Sequence, residues 1–579
     1  MCIRDRGKFG PYIKYKTVNA TIPDNIDPEE IEIEVAIDLI EKKMEKMGKK
    51  KEDTEEKIFK KIKISVSYIN FIKNIKEVSE RYPMALALND VIEKKSSIDF
   101  KTQAFINGNY TNSVTGKTFE SISPVDGSLI ANVSECDVED INNAVKAARA
   151  VFEKGSWSRM APSKRKKILF NFADLMKKNI LELGLLETLN MGKPITRATG
   201  DIAACINCTK WYAEAIDKLY DDVAPTSDNI IATITKEPLG VVGAVTPWNF
   251  PLLMACWKFA PALATGNSFI LKPAEQSPLS ALRVAELAME AGIPEGVFNV
   301  IPGFGPTAGK ALGTHMDVDK LGFTGSTEVG RYFLSYAGES NMKRVSLECG
   351  GKSPNIIFAD APDLDHAAKM AADGMFGNSG QVCDAPSRLL VEHSIKDEFL
   401  EKVVKYSKPW TPGDPFDPST LMGSIVDHTQ TKRIMDYIDT GKNEGANVIT
   451  GGEQVLQETG GCYVNPTVFK DVKNSMKVAK EEIFGPVLCT IDFENEDEAL
   501  EIANDTNYGL NAMIWSNDLN KVHKLAKRIK SGKVLINSVS DGDMSLPHGG
   551  YKQSGFGRDK SLEALGQYTQ TKLTLIEIK

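Results

Sequence analysis

From Pro238 onward, short apolar runs alternate with helix-patterned stretches, and this alternation limits the folds open to the chain. Residues 240–247 read GVVGAVTP, and the spacing predicts a helix over 251–264. NSFILKPAE follows, then a predicted helix over 278–291, then GVFNVIPG. Strand and helix alternating at this interval call for a parallel sheet with helices on both faces, an α/β fold. Upstream, Phe105–Tyr110 reads as a hairpin turning at Asn107-Gly108, and ISPVDGSLIANV repeats the pattern. Apolar residues at i, i+3 and i+4 predict a helix over Val138–Phe152, and residues 163–189 read as a further helix. No internal repeat is visible.

Composition removes several classes. The chain has 579 residues, 42% hydrophobic and 26% charged, close to an average globular protein. Its length corresponds to roughly four folding units. No run of about 18 apolar residues exists, so no membrane span is expected. Nine cysteines lack framework spacing, and the opening MCIRDRGKFG has no apolar core, so a cytoplasmic location is expected. Cys205 and Cys208 form a CxxC without a second pair or nearby His. It reads as helix packing, and no metal site is expected.

Charge and composition change near residue 83. Residues 1–83 carry 18 Lys+Arg against 16 Asp+Glu, and the rest carry 52 against 62. An acidic body repels polyanions, so no nucleic-acid partner is expected. Gly7, Gly10 and Pro11 punctuate β-prone runs, and Pro28-Glu29-Glu30 opens a predicted helix. GKFGPYIKY, TIP and AIDLIEKK resemble the C-terminal repeat of bacterial DNA topoisomerase I over about 45 residues, without its catalytic residues. MCIRDR resembles a translated sequencing adapter, and residues 57–83 have the composition of translated AT-rich spacer. The expectation is that residues 1–83 are an extraneous gene-model fusion and that Met84 is the native start. The alternative is a basic arm.

Seven motifs carry chemistry. Trp248-Asn249 ends an apolar strand, where an amide is placed to meet a developing oxyanion, or simply to make a turn. Lys272 and Glu275 end the next strand, as ribose ligands or as a solvated pair. Gly325 and Ser326 lead from strand to helix, a place that favours phosphate, although one glycine turn is weak evidence. Glu348 precedes Cys349-Gly350-Gly351. Cys383 follows FGNSGQV, where glycines leave room around a thiol; a single Cys also reads as a small buried hydrophobe. Glu482 and Phe484 in EEIFGPV, and His548 in PHGGYKQSG, read as exposed turns.

Taken in this order, the motifs identify residues 103–579 as a member of the aldehyde dehydrogenase superfamily. ETLNMGKPI, WYAEAIDKLY, PWNFPLLMACWK, NMKRVSLECGGKSPNIIFAD, DGDM and GGYKQSGFGRDKSLEAL make the chain most similar to γ-glutamyl-γ-aminobutyraldehyde dehydrogenases of putrescine breakdown. The resemblance implies a Rossmann-like cofactor domain over 84–219 and 239–350, and a catalytic α/β domain over 351–555. A β-arm at 220–238 with the 556–579 segment would form a homodimer or homotetramer. It implies NAD as cofactor, with NADP as the alternative, and a small aldehyde as substrate.

The resemblance also implies roles. Cys383 is the nucleophile, Asn249 and the Cys383 N–H hold the oxyanion, and Glu348 is the general base for thioester hydrolysis. Lys272 and Glu275 take the adenosine ribose, and Gly325 and Ser326 lie by the pyrophosphate. Glu482, Phe484 and Trp248 lie on the nicotinamide side. A general or betaine-type aldehyde dehydrogenase is the near alternative, and a CoA-acylating enzyme a remoter one that typically lacks the general base. Three residues depart from the family pattern: Asp384 after the nucleophile, Pro386 for a common Gly, and His548 for a common Phe. Asp541 and Asp543 read either as solvated loop acids or as groups that attract an amino group at the tunnel mouth.

Overall fold

The computed structural model describes residues 2–7, 10–15, 18–21, 86–540 and 542–579. It comprises two compact units, Met1–Ala85 and Leu86–Lys579. In the first, Cys2–Gly7, Gly10–Tyr15 and Val18–Thr21 form an antiparallel three-stranded sheet, so the β-prone runs are strands. The helix expected after Pro28, the segment 57–83 and Met84 lie outside the described residues.

The second unit holds an eight-stranded sheet. Its order is Gly555–Phe556, Arg344–Glu348, Lys320–Thr324, Val241–Val245, Ser268–Lys272, Phe298–Val300, Ala104–Ile106, Asn109–Thr111. The five strands from Arg344–Glu348 to Phe298–Val300 are parallel, and the outer strands run antiparallel. The chain builds outward from Val241–Val245 through Ser268–Lys272 and Phe298–Val300. It then crosses back to lay Lys320–Thr324 on the other side, and this reversal opens a crevice beyond the carboxyl ends of the strands.

Every residue of Val241–Val245, Ser268–Lys272 and Lys320–Thr324 is buried, as a sheet covered on both faces requires. Alternate residues enter different cores. Val242, Ala244, Phe269 and Leu271 join the helices Pro251–Ala264 and Leu279–Glu290. Val241, Val245, Ile270 and Leu321 join the helix Val138–Lys154. The expected 251–264 helix matches Pro251–Ala264, and Asn107 (φ 50°) with Gly108 (φ 80°) makes the expected hairpin turn. The single helix expected over 163–189 is instead two, Pro162–Lys178 and Ile180–Met191. Asn179 breaks it because its side-chain amide donates to the Leu175 carbonyl at 2.8 Å and competes with the helical pattern.

A second, seven-stranded sheet runs Asn447–Thr450, Thr467–Lys470, Val487–Phe493, Arg388–Glu392, Pro354–Ile357, Met513–Trp515, Leu535–Ile536. All but the first strand are parallel. Ile230–Pro238 pairs with both Asp222–Ala224 and Thr569–Glu577 in a separate three-stranded sheet, and Leu573, Leu575 and Ile576 stay exposed along its edge. Cys205 and Cys208 are core residues of the helix Ile195–Ala215, as expected. Among the described residues, no helix is long and apolar enough to cross a membrane, and no cluster of His, Cys, Asp or Glu is arranged to hold a metal.

Candidate active site

The residues singled out in the first half of the enzyme sequence stand at the carboxyl ends of four neighbouring parallel strands. Val241–Val245 leads into Trp248 and Asn249, and Ser268–Lys272 ends at Lys272. Lys320–Thr324 passes through Gly325 to Ser326, and Arg344–Glu348 ends at Glu348. Backbone bonds hold these ends together: the Thr246 N–H donates to the Lys272 carbonyl at 3.2 Å, and the Gly325 N–H to the Glu348 carbonyl at 3.0 Å. Ser326 caps the helix Thr327–Glu339, its hydroxyl accepting from the Val329 N–H. The Lys272 ammonium lies buried and pairs with the half-buried Glu275 carboxylate at 3.0 Å.

Cys383 comes from the other sheet, in the loop that leads into Arg388–Glu392. Asn378, Ser379 and Gly380 take left-handed backbone angles one after another, which turns the chain sharply before Gln381-Val382-Cys383. A Cβ on Gly380 would lie 2.2 Å from the Gly485 carbonyl, so this position admits only glycine. The loop is tied to Asn249. The Asn249 amide donates to the Gln381 carbonyl at 2.9 Å, and the Asn378 amide donates to the Asn249 carbonyl at 2.9 Å. One N–H of the Asn249 amide is thereby used, and an amide carries two. The sequence reading missed Asn378 and Gln381; their side-chain amides beside Gly380 were the available signal.

Gly350 and Gly351 join the two halves. A Cβ on Gly351 would meet the Cys383 carbonyl at 2.3 Å, and one on Gly350 would meet the Glu482 carboxylate at 2.2 Å. The Gly351 N–H donates to that carboxylate at 3.0 Å. Phe484, with positive φ, sets its ring edge-on to Trp248, centroids 5.3 Å apart. The expected exposed turns hold only in part: Pro547 and Tyr551–Gln553 are exposed, but the residues singled out are not. Glu482 and Phe484 are half-buried and His548 is buried, because the glycines allow the sheets to close over them.

Electrostatics are dominated by burial. It pushes the Glu348 carboxyl well above its usual range; Asp559 adds to the rise, while Lys258 and Arg558 oppose it. Burial also raises the Cys383 thiol, followed by the negative charges of Asp384, Glu482 and Glu348. Glu482 is raised by burial to about 7, against the Gly351 N–H and Lys352. Asp559 pairs with Lys258, both buried, so a further ion pair stands within electrostatic reach of Glu348. Nothing in the local sequence spacing links these two residues.

The departures from the family pattern now have neighbours. Asp384 is not a lone acid. It pairs with Lys533 at 2.7 Å, and although burial would raise its carboxyl, Lys533 and His548 hold it at about 2. Pro386 packs on the helix Leu364–Phe376, its ring 3.1 Å from where a Cβ on Gly374 would stand. His548 lies against Trp257, ring centroids 5.0 Å apart, with Nε2 3.9 Å from a Glu348 oxygen. Asp543 accepts from the Ser545 N–H within its own loop, and Asp541 lies outside the described residues.

Comparison with known proteins agrees with this geometry. The aldehyde dehydrogenase family model matches residues 110–574, and the topoisomerase C-terminal repeat matches residues 5–51. The chain is 49% identical to the NADP/NAD-dependent aldehyde dehydrogenase PuuC of Escherichia coli K12, over 84% of this chain and 98% of that one. A solved γ-glutamyl-γ-aminobutyraldehyde dehydrogenase from Burkholderia cenocepacia is 51% identical, with a TM-score of 0.84 over 85% of this chain and 100% of that one. A mutant of P. syringae AldA indole-3-acetaldehyde dehydrogenase, solved with NAD+ and IAA, is 53% identical with the same coverage and TM-score. The chain belongs to the aldehyde dehydrogenase family, oxidoreductases that act on the aldehyde group.

Proposed function

We propose that the protein oxidises an aldehyde to a carboxylic acid with NAD or NADP, through a thioester on Cys383. The observation that carries this reading is the meeting of the Glu348-Cys349-Gly350-Gly351 segment with the Cys383 loop, Gly351 lying directly against the Cys383 carbonyl. This meeting of the Cys383 loop with the segment that follows Glu348 supports reading the two as nucleophile and base.

The strand ends fit the cofactor. Thr324 carries a buried hydroxyl without a hydrogen-bond partner among the described residues, directly before the Gly325–Ser326 helix entry. Two strands away, across Val241–Val245, stand a buried cation, Lys272, and the Glu275 carboxylate. Lys272 and Glu275 would take the adenosine ribose, and Gly325 and Ser326 the pyrophosphate. Glu482, Phe484 and Trp248 would take the nicotinamide side. The negative charge of Glu275 disfavours a 2′-phosphate and so favours NAD. When bound, the cofactor accepts a hydride.

The chain's own residues do the rest. The Cys383 sulfur attacks the aldehyde carbon. The second N–H of the Asn249 amide and the Cys383 N–H stabilise the oxyanion, about 3 kcal/mol per donor. Water then attacks the thioester while Glu348 takes its proton, releasing the acid and the thiolate. Cys383 and Glu348 are both raised, and both act deprotonated, so turnover rises with pH. Glu348 also favours hydrolysis over transfer to coenzyme A.

The substrate proposed is a polyamine-derived aldehyde such as γ-glutamyl-γ-aminobutyraldehyde, on the likeness to PuuC and the B. cenocepacia enzyme. The eight-stranded sheet, with residues 84–219 and 239–350, is the proposed cofactor domain, and 351–555 the catalytic domain. Segments 220–238 and 556–579 are proposed to build a cytoplasmic homodimer or homotetramer through the exposed edge strand. Residues 1–83 lie outside this enzyme, and a chain beginning at Met84 is expected to turn over aldehyde within about twofold of the full chain. The decisive experiment is Cys383→Ala. Aldehyde-dependent NADH formation is expected to fall by on the order of 10⁴-fold while NAD binding persists. Retained turnover would refute the nucleophile.

A further inference from the structure

Glu348 is enclosed: it is 7% exposed, and neither carboxylate oxygen has a hydrogen-bond partner among the described residues. A base that removes a proton from water inside such a pocket must pass that proton on before the next turnover. Otherwise it stays neutral, the state burial already favours. The group facing it is an imidazole. His548 Nε2 stands 3.9 Å from Glu348 Oε2, beyond a hydrogen bond but within reach of a modest shift of either side chain.

His548 is held in that position. Its N–H and carbonyl bond to the carbonyl and N–H of Asp559, both at 2.8 Å, and its ring packs on Trp257. Gly549 follows, and a Cβ there would lie 2.8 Å from Glu348 Oε1, so the chain clears the carboxylate at this point. A phenyl ring here, as in the common family pattern, would pack equally well on Trp257 but could not accept a proton.

We propose that His548 is the positioning and proton-accepting partner of Glu348 in thioester hydrolysis, an inference that rests on the proposed function above. Attacking water gives one proton to Glu348 Oε2 as its oxygen bonds to the acyl carbon. The C–S bond then breaks and the Cys383 thiolate departs. Glu348 passes the proton to His548 Nε2, regenerating the carboxylate, and the imidazolium returns it to solvent. No oxidant or second reactant is needed. The charges around His548 decide how easily it takes the proton. Glu348 and Asp384 both lie within electrostatic reach of the imidazole.

The test uses the full chain with p-nitrophenyl acetate, an activated ester that acylates a thiol without cofactor. Nitrophenolate released in the burst reports acylation of Cys383, and the steady rate reports hydrolysis. In His548→Phe and His548→Gln, the burst amplitude should match the unsubstituted chain. The steady rate should fall about tenfold, with the acid limb of its pH profile displaced. Glutamine preserves polarity but cannot take the proton, so it also covers the case in which the phenylalanine variant fails to fold. An unchanged ratio of burst to steady rate in a folded variant would overturn the proposal. If the unsubstituted chain shows the ester burst but forms no NADH from any aldehyde, the proposed function fails while the role of His548 stands.

Discussion

The two large sheets supply the site in opposite ways. The eight-stranded sheet delivers Asn249, Lys272, Ser326 and Glu348 at or just beyond the carboxyl ends of parallel strands. The seven-stranded sheet delivers Gly351, Cys383, Glu482 and Lys533 from loops just before the amino ends of its strands. On the first side, regular strands and a helix cap fix positions, and the local backbone is ordinary. On the second, left-handed residues at 378–380 and 484, close glycine contacts and side-chain amides fix them. The cofactor side should therefore tolerate substitution in shape, and the nucleophile side should not.

Substitutions can break or sharpen that contrast. After Cys383→Ala, the largest effect is expected on the strand-end side, where chemistry rather than shape is removed. Glu348→Gln should keep the first burst of NADH but slow steady turnover by on the order of 10³-fold, measured by stopped flow. Equal loss of burst and steady rate would move Glu348 out of hydrolysis. Next is Gly380→Ala on the loop side. Its φ of 69° and the Gly485 carbonyl leave no room, so a loss of about 3 kcal/mol in unfolding free energy is expected, together with activity. An unperturbed melting curve would show that the loop has slack.

Smaller again is Lys533→Met, which leaves Asp384 partly buried without its cation. A loss of about 2 kcal/mol is expected at neutral pH, less than for a fully buried pair because Asp384 is partly exposed. The folded Asp384 carboxyl sits low, at about 2, so its contribution is present above the ordinary carboxylate pKa and fades as pH falls toward 2. The gap between variant and parent should close below about pH 4 in denaturant titrations. A pH-independent gap would assign the loss to packing.

Much of this arrangement was legible in the sequence. Apolar runs ending in Trp248-Asn249, Lys272 and Gly325 predicted strand ends, and the structure has them. The resemblance singled out Cys383 and Glu348, and the structure brings the Cys383 loop against the segment that follows Glu348. Other features were misread for definite reasons. Asn179 interrupts a stretch whose apolar spacing continues across it, so periodicity saw one helix where the amide makes two. His548 sits among Pro, Gly, Tyr and Lys, a composition that reads as solvent-facing and is so at Pro547 and Tyr551–Gln553, yet a backbone bridge to Asp559 holds His548 itself inside.

The sequence by itself determined the elements, the parallel sheet and the residue types at each strand end. Hydrophobic period and turn chemistry are local, and these features are written locally. Tertiary structure alone decided which charges meet. Glu482 reaches the Gly351 N–H across 131 residues, and Asp384 finds Lys533 across 149. His548 comes to face Glu348, and Lys258 pairs with Asp559 beside it. Those pairings depend on how two sheets close around glycines that let their backbones touch. Burial raises Glu348, Glu482 and Cys383, Lys533 holds Asp384 low, and no local pattern encodes that closure.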